Sequence, residues 1–492
     1  MSSSNNSQSL AKRLKDCTYS QALVVIANTT ELFKDETGEA YSTYSLQNDI
    51  KQTWPVRSSK FREFLNGVYY NLTGRVATAQ AFNEALNVIE ARAKYGNLTY
   101  PVYRRVAYHD GCIYIDLCDD EWNIVKISKE RWEVVTGQPV KFTRTKGMLA
   151  LPLPKMGNIE KLKTYLNIKT EDDFKIIVAW LTSALRPEAP IPVMVLQGKQ
   201  GSAKSTTAKM LRSVIDPNIA PLRSPPKDEQ DLLIACKNGW VVALDNLSGM
   251  PIGLSDALCR ISTGSGHGNR KLYTDTDEIL FNGIRPIIVN GIDYIPNRSD
   301  FLDRSLVIYL PKITDAKRID EKSLWESFNR DKPEIMGALY TGISVALKNI
   351  DSIKLEKTAR MADFHKWVEA GSSAYDWEHG EFSRILNELR YSSIQERLET
   401  DDVALVIRKM MSNRQQWTSN ASDLLAEMSN HTNQASNGVG SPYHIKLPTL
   451  KKLKSEMERL APDMEQIGIS IEYKRKNTGS CYIITKKDAT KI

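Results

Sequence analysis

Between residues 198 and 205 the chain reads GKQGSAKS, and candidate chemistry is concentrated there. The spacing is that of a phosphate-binding loop, G-x-x-x-x-G-K-[ST], with Ala203 where the last glycine usually stands. Backbone N–H groups from Gly201 to Lys204 would face phosphate oxygens, helped by the N-terminus of a following helix. Lys204 suits the β- and γ-phosphates, and Ser205 suits a Mg²⁺ ion. Gly198, Gly201, Ser202, Ala203, Lys204, Ser205 and Thr206 are the candidate nucleotide-binding residues. The methyl group of Ala203 is tolerable if that residue is already helical, since only a left-handed backbone demands glycine. The competing reading is a Gly/Ser turn ahead of a helix.

A phosphate loop needs a carboxylate on a nearby strand to hold the water shell of its metal. GWVVALDNLS (239–248) supplies one, since an apolar run ends in Asp245. Ser205 and Asp245 are thus the candidate metal-holding pair. The next residue is Asn246, where many ATPases carry a glutamate that activates water. An amide is not a base, so another carboxylate acts or the water is only oriented. RPIIVNG (285–291) is a third apolar run, and Asn290 at its end could hydrogen-bond a γ-phosphate or a water. The plain alternative is a turn asparagine before Gly291. Arg304 precedes a fourth apolar run and could act as an arginine finger on a neighbouring subunit's ATP. Its bland reading is a surface salt bridge to Asp300 or Asp303, worth little. Lys204, Asp245, Asn246, Asn290 and Arg304 are the candidate catalytic set.

These residues need a scaffold. Val193 to Leu196 is apolar and β-branched, as in a buried strand, and TTAKMLRSVI (206–215) has helical spacing without Gly or Pro. Strand, glycine loop and helix are the context the motif requires. From 159 to about 312 helices and apolar strands alternate, which predicts a parallel sheet flanked by helices. At 492 residues the chain exceeds one core. Expected divisions are 1–150 (α+β), 151–314 (the α/β core), 315–398 (a helical lid or linker) and 399–492. Hydrophobic and charged contents of 41% and 25% are ordinary for a soluble chain, and a net charge of +7 permits nucleic-acid binding without arguing for it. Six scattered cysteines suit a reducing cytosol and give no zinc pattern. There is no apolar run near 18 residues, so no membrane partner is expected. MSSSNNSQS (1–9) reads as a disordered tail.

The order of parts now resembles a family. Lys204-Ser205, then Asp245, then Asn290, then Arg304 looks like an AAA+ ATPase. Between Asp245 and Asn290, a Gly-rich turn followed by RKLYTD and a strand resembles the hairpin of superfamily 3 viral helicases. GSAKST, ALDNLSG, SDALCRISTG, RKLYTD and VNGI together look like the replication ATPases of phages and bacterial mobile islands. The resemblance covers about 150–312 strongly and the rest weakly. It implies an AAA+ P-loop core that hydrolyses ATP with Mg²⁺, in a homo-hexameric ring with hairpins in a central pore. Asp followed by Asn recurs in that group, which makes Asn246 less anomalous. In the hairpin, Arg270 and Lys271 offer phosphate contacts and Tyr273 a stacking face. A solvated basic hairpin on a monomer is the alternative.

The C-terminal segment resembles a winged helix, with WTSNASDLLAEM (417–428) as an earlier helix and Thr418 to Asn420 near its N-cap. Between Lys446 and Lys487 there are ten Lys/Arg against five Asp/Glu, and Lys474, Arg475 and Lys476 cluster in the wing, in the charged turn KRKNTGS between the strand-like ISIEY and CYIIT. Such a wing could grip DNA phosphates, or serve as a protein contact. The expected function is an ATP-dependent DNA helicase of a mobile genetic element. The alternative is a DNA-bound initiator or remodelling ATPase that switches with ATP but unwinds little. A small-molecule phosphotransferase lacks support.

Overall fold

The computed structural model describes residues 10, 12–14, 16–45, 50–137, 139–264, 267–270, 278–281, 283–291, 299–315, 318–355, 361–433, 445–476 and 479–487. The N-terminal tail, Lys271 and Tyr273 therefore lie outside the described residues. The chain forms two compact units, Met1–Ile295 with Ile308–Phe382, and Pro296–Val307 with Ser383–Ile492. Among the described residues no helix is long and apolar enough to cross a membrane.

The central sheet has four strands in the order Val242–Leu247, Ile287–Gly291, Val193–Gln197, Ser305–Tyr309. The first three pair in parallel, as the alternation of helices and apolar runs predicts. Every residue of Val193–Gln197 and of Ile287–Gly291 is buried, and each strand is an apolar run with one buried amide near its end, Gln197 and Asn290. Asn290 is thereby inserted between the loop strand and the Asp245 strand. Arg223 adds a parallel bridge at Leu244: its N–H donates to Ala243 and its carbonyl accepts from Asp245. The helix Lys204–Ile215 buries Ala208, Met210, Leu211 and Val214.

Ahead of this sheet, CIYIDLC and WNIVKI form the antiparallel strands Cys112–Asp116 and Ile124–Ile127, in the four-stranded sheet predicted only in part from sequence. The stripe at 78–96 is the helix Ala79–Tyr95, capped by Thr78, with Phe82, Leu86 and Ile89 in the core beside Leu23 and Ile26. The two N-terminal layers share the first compact unit with the central sheet. One buried polar node spans this unit. Asp216, at the end of the loop helix, accepts from Arg105 Nε (3.0 Å) and from the backbone N–H of Trp240 (2.9 Å) and Val241 (3.2 Å). Arg105 donates its other nitrogens to the carbonyls of Asp116 and Leu149.

The helix Glu321–Asn349 carries an anomaly, a buried lysine at 332. Burial lowers its pKa to about 8, and the neighbouring Arg105 charge adds to the fall. The folded chain then binds fewer protons than the unfolded chain between about pH 8 and 10.5, so stability rises with pH across that window. Lys332→Met is expected to stabilise the protein at pH 7 by on the order of 3 kcal/mol. In denaturant melts the gain should be constant below about pH 8 and shrink towards pH 10.5. A gain independent of pH would show that the ammonium is not the source.

In the second unit a helix, Asp402–Met410, precedes the strand Gln416–Asn420, the helices Ala421–Asn433 and Leu450–Gln466, and the hairpin of Ile469–Lys476 and Gly479–Lys486. The three strands order as first, third, second. Two details correct the sequence reading. Trp417 to Asn420 form a strand paired with Ile484 to Cys481, and only Asn420 caps the helix, accepting from Asp423 N–H. Lys474, Arg475 and Lys476 are not in a turn. They end the first hairpin strand, opposite Cys481, Ser480 and Gly479.

Candidate functional site: a glycine loop over a parallel sheet

The loop leaves the central strand at Gly198, whose φ is +155°. A Cβ there would lie 2.5 Å from the Leu310 carbonyl oxygen and 2.7 Å from Ser202 Oγ, so only glycine fits. The segment after the edge strand braces the loop: Ile313 N–H donates to Gly201 and Leu310 N–H to Gln197. Asn167 completes the clasp, its Nδ2 reaching the carbonyls of Ser202 (3.0 Å) and Pro311 (2.6 Å). No motif marks Asn167 in the sequence, because its role depends on two segments far away along the chain.

Ala203 overturns the condition set for it. It is the N-cap of the loop helix at φ 63°, ψ 27°, which is left-handed. This is the conformation that favours glycine, and an L-residue there costs roughly 1–2 kcal/mol. Such strain collects at ligand-binding backbones. Ala203→Gly is therefore expected to stabilise the protein by up to about 1 kcal/mol, after the extra chain entropy of glycine is subtracted. Urea denaturation decides it, and a destabilised variant would mean that the methyl group packs usefully.

Lys204 turns back on the loop, its Nζ donating to the carbonyls of Gly198 (2.6 Å) and Lys199 (3.1 Å). Burial pushes its pKa below the ordinary lysine value, and the Asp245 carboxylate partly offsets this. Ser205 Oγ donates to Asp245 Oδ1 at 2.8 Å. The first turn of the loop helix thus meets a strand residue 40 positions further along the chain. Thr206, in the first turn of the helix, is partly exposed.

Asp245 sits in a bulge. Leu244 pairs with Val289 and Leu247 with Gly291, so Asp245 and Asn246 together oppose Asn290. Asn246 takes φ 58°, a left-handed value that asparagine tolerates, and its side chain is exposed. Its N–H donates to Asn290 Oδ1 at 2.9 Å. That bond orients the Asn290 amide: the carbonyl is used, and Nδ2 remains a buried donor without a partner. Ser202 Oγ is likewise buried and unpartnered. Buried donors with no acceptor call for an explanation, and an anionic ligand is one. Asn290 is thus more than a turn residue, being 1% exposed with its amide held from one side.

The donor set fits a nucleotide and its cation. Ser205 and Asp245 present hard oxygens of the kind Mg²⁺ takes, and Lys204 with the loop N–H groups presents donors for phosphate.

Other predicted residues are not brought to this centre by any described contact. Arg304 lies in the second unit, where its Nη1 donates to the Asp300 carbonyl at 2.9 Å. This is a local bond to the backbone of a short helix, whereas Asp303 pairs with Arg390 at 3.2 Å. The hairpin between the Asp245 and Asn290 strands is present: His267–Arg270 pairs antiparallel with Glu278–Phe281. Arg270 ends its first strand opposite Glu278, and the tip with Lys271 and Tyr273 is outside the described residues. In the C-terminal hairpin Lys474 and Arg475 are exposed, with Lys474 paired to Glu472 at 3.0 Å. The neighbouring helix adds exposed Lys451, Lys452 and Lys454, a cluster not singled out from the sequence.

Known proteins place both units in one context. Residues 159–376 match the family model of the actinomycete integrative conjugative element replication protein. Residues 403–491 match that of the AICE RepA C-terminal domain. The two matches together support a replication protein of a mobile genetic element. A comparison with curated proteins gave no match. Among solved structures, an A-form apo structure of the NrS-1 C terminal region is similar at 13% identity and TM-score 0.42, over 94% of this chain and 97% of that one. A second apo structure of that region gives 14% identity and TM-score 0.40, over 96% and 100%. Likenesses at these scores add nothing to the reading of the site.

Proposed function

We propose that this replication protein is an ATP-dependent DNA helicase with an AAA+ type core, working as a homo-hexameric ring. The observation that carries the reading is the meeting of Lys204, Ser205, Asp245 and Asn290 at one end of a parallel sheet, with a hairpin inserted between the last two strands. Lys204 exchanges two loop carbonyls for phosphate oxygens. Ser205 and Asp245 would hold Mg²⁺, which supplies positive charge against the phosphates when bound. Asn290 donates through Nδ2 to phosphate or water, and cannot act as a base. Nucleotide state can reach the hairpin through the helix Ile252–Thr263, which follows the Asp245 strand, and through the strand Ile287–Gly291, which carries Asn290.

DNA binding by the C-terminal unit is supported by its element order, which resembles that of a winged helix, and by its exposed lysines. Lys474, Arg475 and Lys476 would contact phosphates with a steep salt dependence. Arg270, Lys271 and Tyr273 would grip the translocating strand, and Arg304 would serve a neighbouring subunit.

The test is ATP hydrolysis by the full chain with and without single-stranded DNA, sizing with ATP, and unwinding of a forked duplex. DNA-stimulated hydrolysis, a ring-sized species and strand displacement are expected. ATP-dependent DNA binding without displacement would move the reading to an initiator or remodelling switch. No hydrolysis and no nucleotide binding would refute both.

A further inference from the structure

The N-terminal layers contain a groove of about 800 Å³ that the proposed motor does not use. Its size is at the upper end for a ligand site. Its walls come from segments around Trp54, Phe64, Trp122 and Arg144, all within the first unit. Tyr44 and Phe64 stack with centroids 3.8 Å apart, and Trp54 meets Trp122 edge-on at 5.9 Å. Trp54 and Phe64 are only half-buried. Large aromatic faces left open in a groove are platforms for a flat ligand.

The cations in the wall are not equivalent. Lys60 is paired with Glu63 at 3.0 Å. Arg144 lies over Trp122 at 3.7 Å and is bound bidentately by Asp116. Among the described residues Arg104 and Lys146 have no carboxylate partner, and Arg104 Nε is buried without a hydrogen bond. A guanidinium nitrogen withdrawn from water and given no acceptor suits an anionic ligand. Against these stands one lining carboxylate, Asp120, that forms no ion pair among the described residues. The modest positive excess does not suit the dense charge of a duplex. It suits a strand whose bases stack and whose few phosphates meet Arg104 and Lys146.

We infer that the groove in which Trp54 and Phe64 stand half-open, backed by buried Trp122 and flanked by Arg104 and Lys146, binds a short segment of single-stranded nucleic acid. Bases stack on the open aromatic faces and the backbone crosses the two unpaired cations. This site shares no residue with the glycine loop or with either hairpin, and does not depend on ATP hydrolysis.

Photocrosslinking of the unaltered full chain tests it without relying on the folding of a variant. Oligo-dT carrying 5-iodouracil is irradiated with the protein, and the linked peptides are mapped by mass spectrometry. Links within 44–64 or 118–146, competed by plain oligo-dT, are expected. Links confined to other regions overturn the proposal. So does labelling of these peptides by iodinated deoxyuridine monophosphate but not by the oligonucleotide, which would make the groove a mononucleotide pocket. In a second arm, Arg104→Gln with Lys146→Gln should weaken oligo-dT binding about tenfold at low salt and flatten its salt dependence. Duplex affinity and the thermal midpoint should hold. Unchanged oligo-dT affinity in a folded double variant also overturns the proposal, and should the variant not fold, the crosslink map decides alone.

Discussion

Lys204→Ala is expected to lower ATP turnover by at least about a hundredfold, since it removes a positioned charge from the phosphates. The lysine is already in place: its Nζ is 2.6 Å from the Gly198 carbonyl, inside the loop rather than in solvent. Nothing else within the loop carries a cation except Lys199, whose side chain belongs to a variable position of the motif. Lys204→Arg should rescue little, because a planar fork does not fit where a compact ammonium sits between two carbonyls. Asp245→Ala should fail for a different reason, through loss of the carboxylate that Ser205 contacts at 2.8 Å. Steady-state hydrolysis is the measurement, with a thermal melt of each variant to establish folding. Normal turnover in a folded Lys204→Ala protein would remove the nucleotide from this loop.

The second large effect concerns stability rather than chemistry. Asp216→Ala should lower the thermal midpoint by about 10 °C or more, or leave the protein insoluble. Arg105 and Asp216 are both fully buried, and Arg212 is 1% exposed beside them. Removing the carboxylate leaves two buried guanidinium groups without the anion they share. Breaking such a pair costs about 3–5 kcal/mol. The Trp240 and Val241 N–H groups also lose their acceptor, at roughly 1–3 kcal/mol for each buried donor. Asp216→Asn keeps an acceptor and should lose less. A midpoint within about 2 °C of the parent would show that water or a shifted backbone replaces the carboxylate.

Much of this protein is determined locally and was legible from residue order alone. A glycine, a lysine and a serine at fixed spacing need only a strand before them and a helix after them, and both are written in adjacent periodicity. The ends of apolar runs place Asp245 and Asn290 for the same reason, since a buried parallel strand is mostly apolar and its first polar residue marks where the run gives way to the site. The C-terminal helices and hairpin also follow from local pattern, although the extent of the hairpin strands does not, because pairing across the turn carries Lys474 to Lys476 into the ladder.

What the tertiary structure alone decided is every feature that depends on register or on distant segments. The bulge that sets Asp245 and Asn246 against Asn290 requires knowing which residues face one another. The left-handed backbone of Ala203 is set by the clasp of Asn167 and the segment after Leu310, so that residue type and conformation disagree there. The Arg105–Asp216 pair joins residues 111 positions apart, and the aromatic groove draws its walls from several strands and helices. Side-chain chemistry is read one residue at a time, but burial and pairing belong to the folded chain, and these convert an ordinary arginine or asparagine into a site.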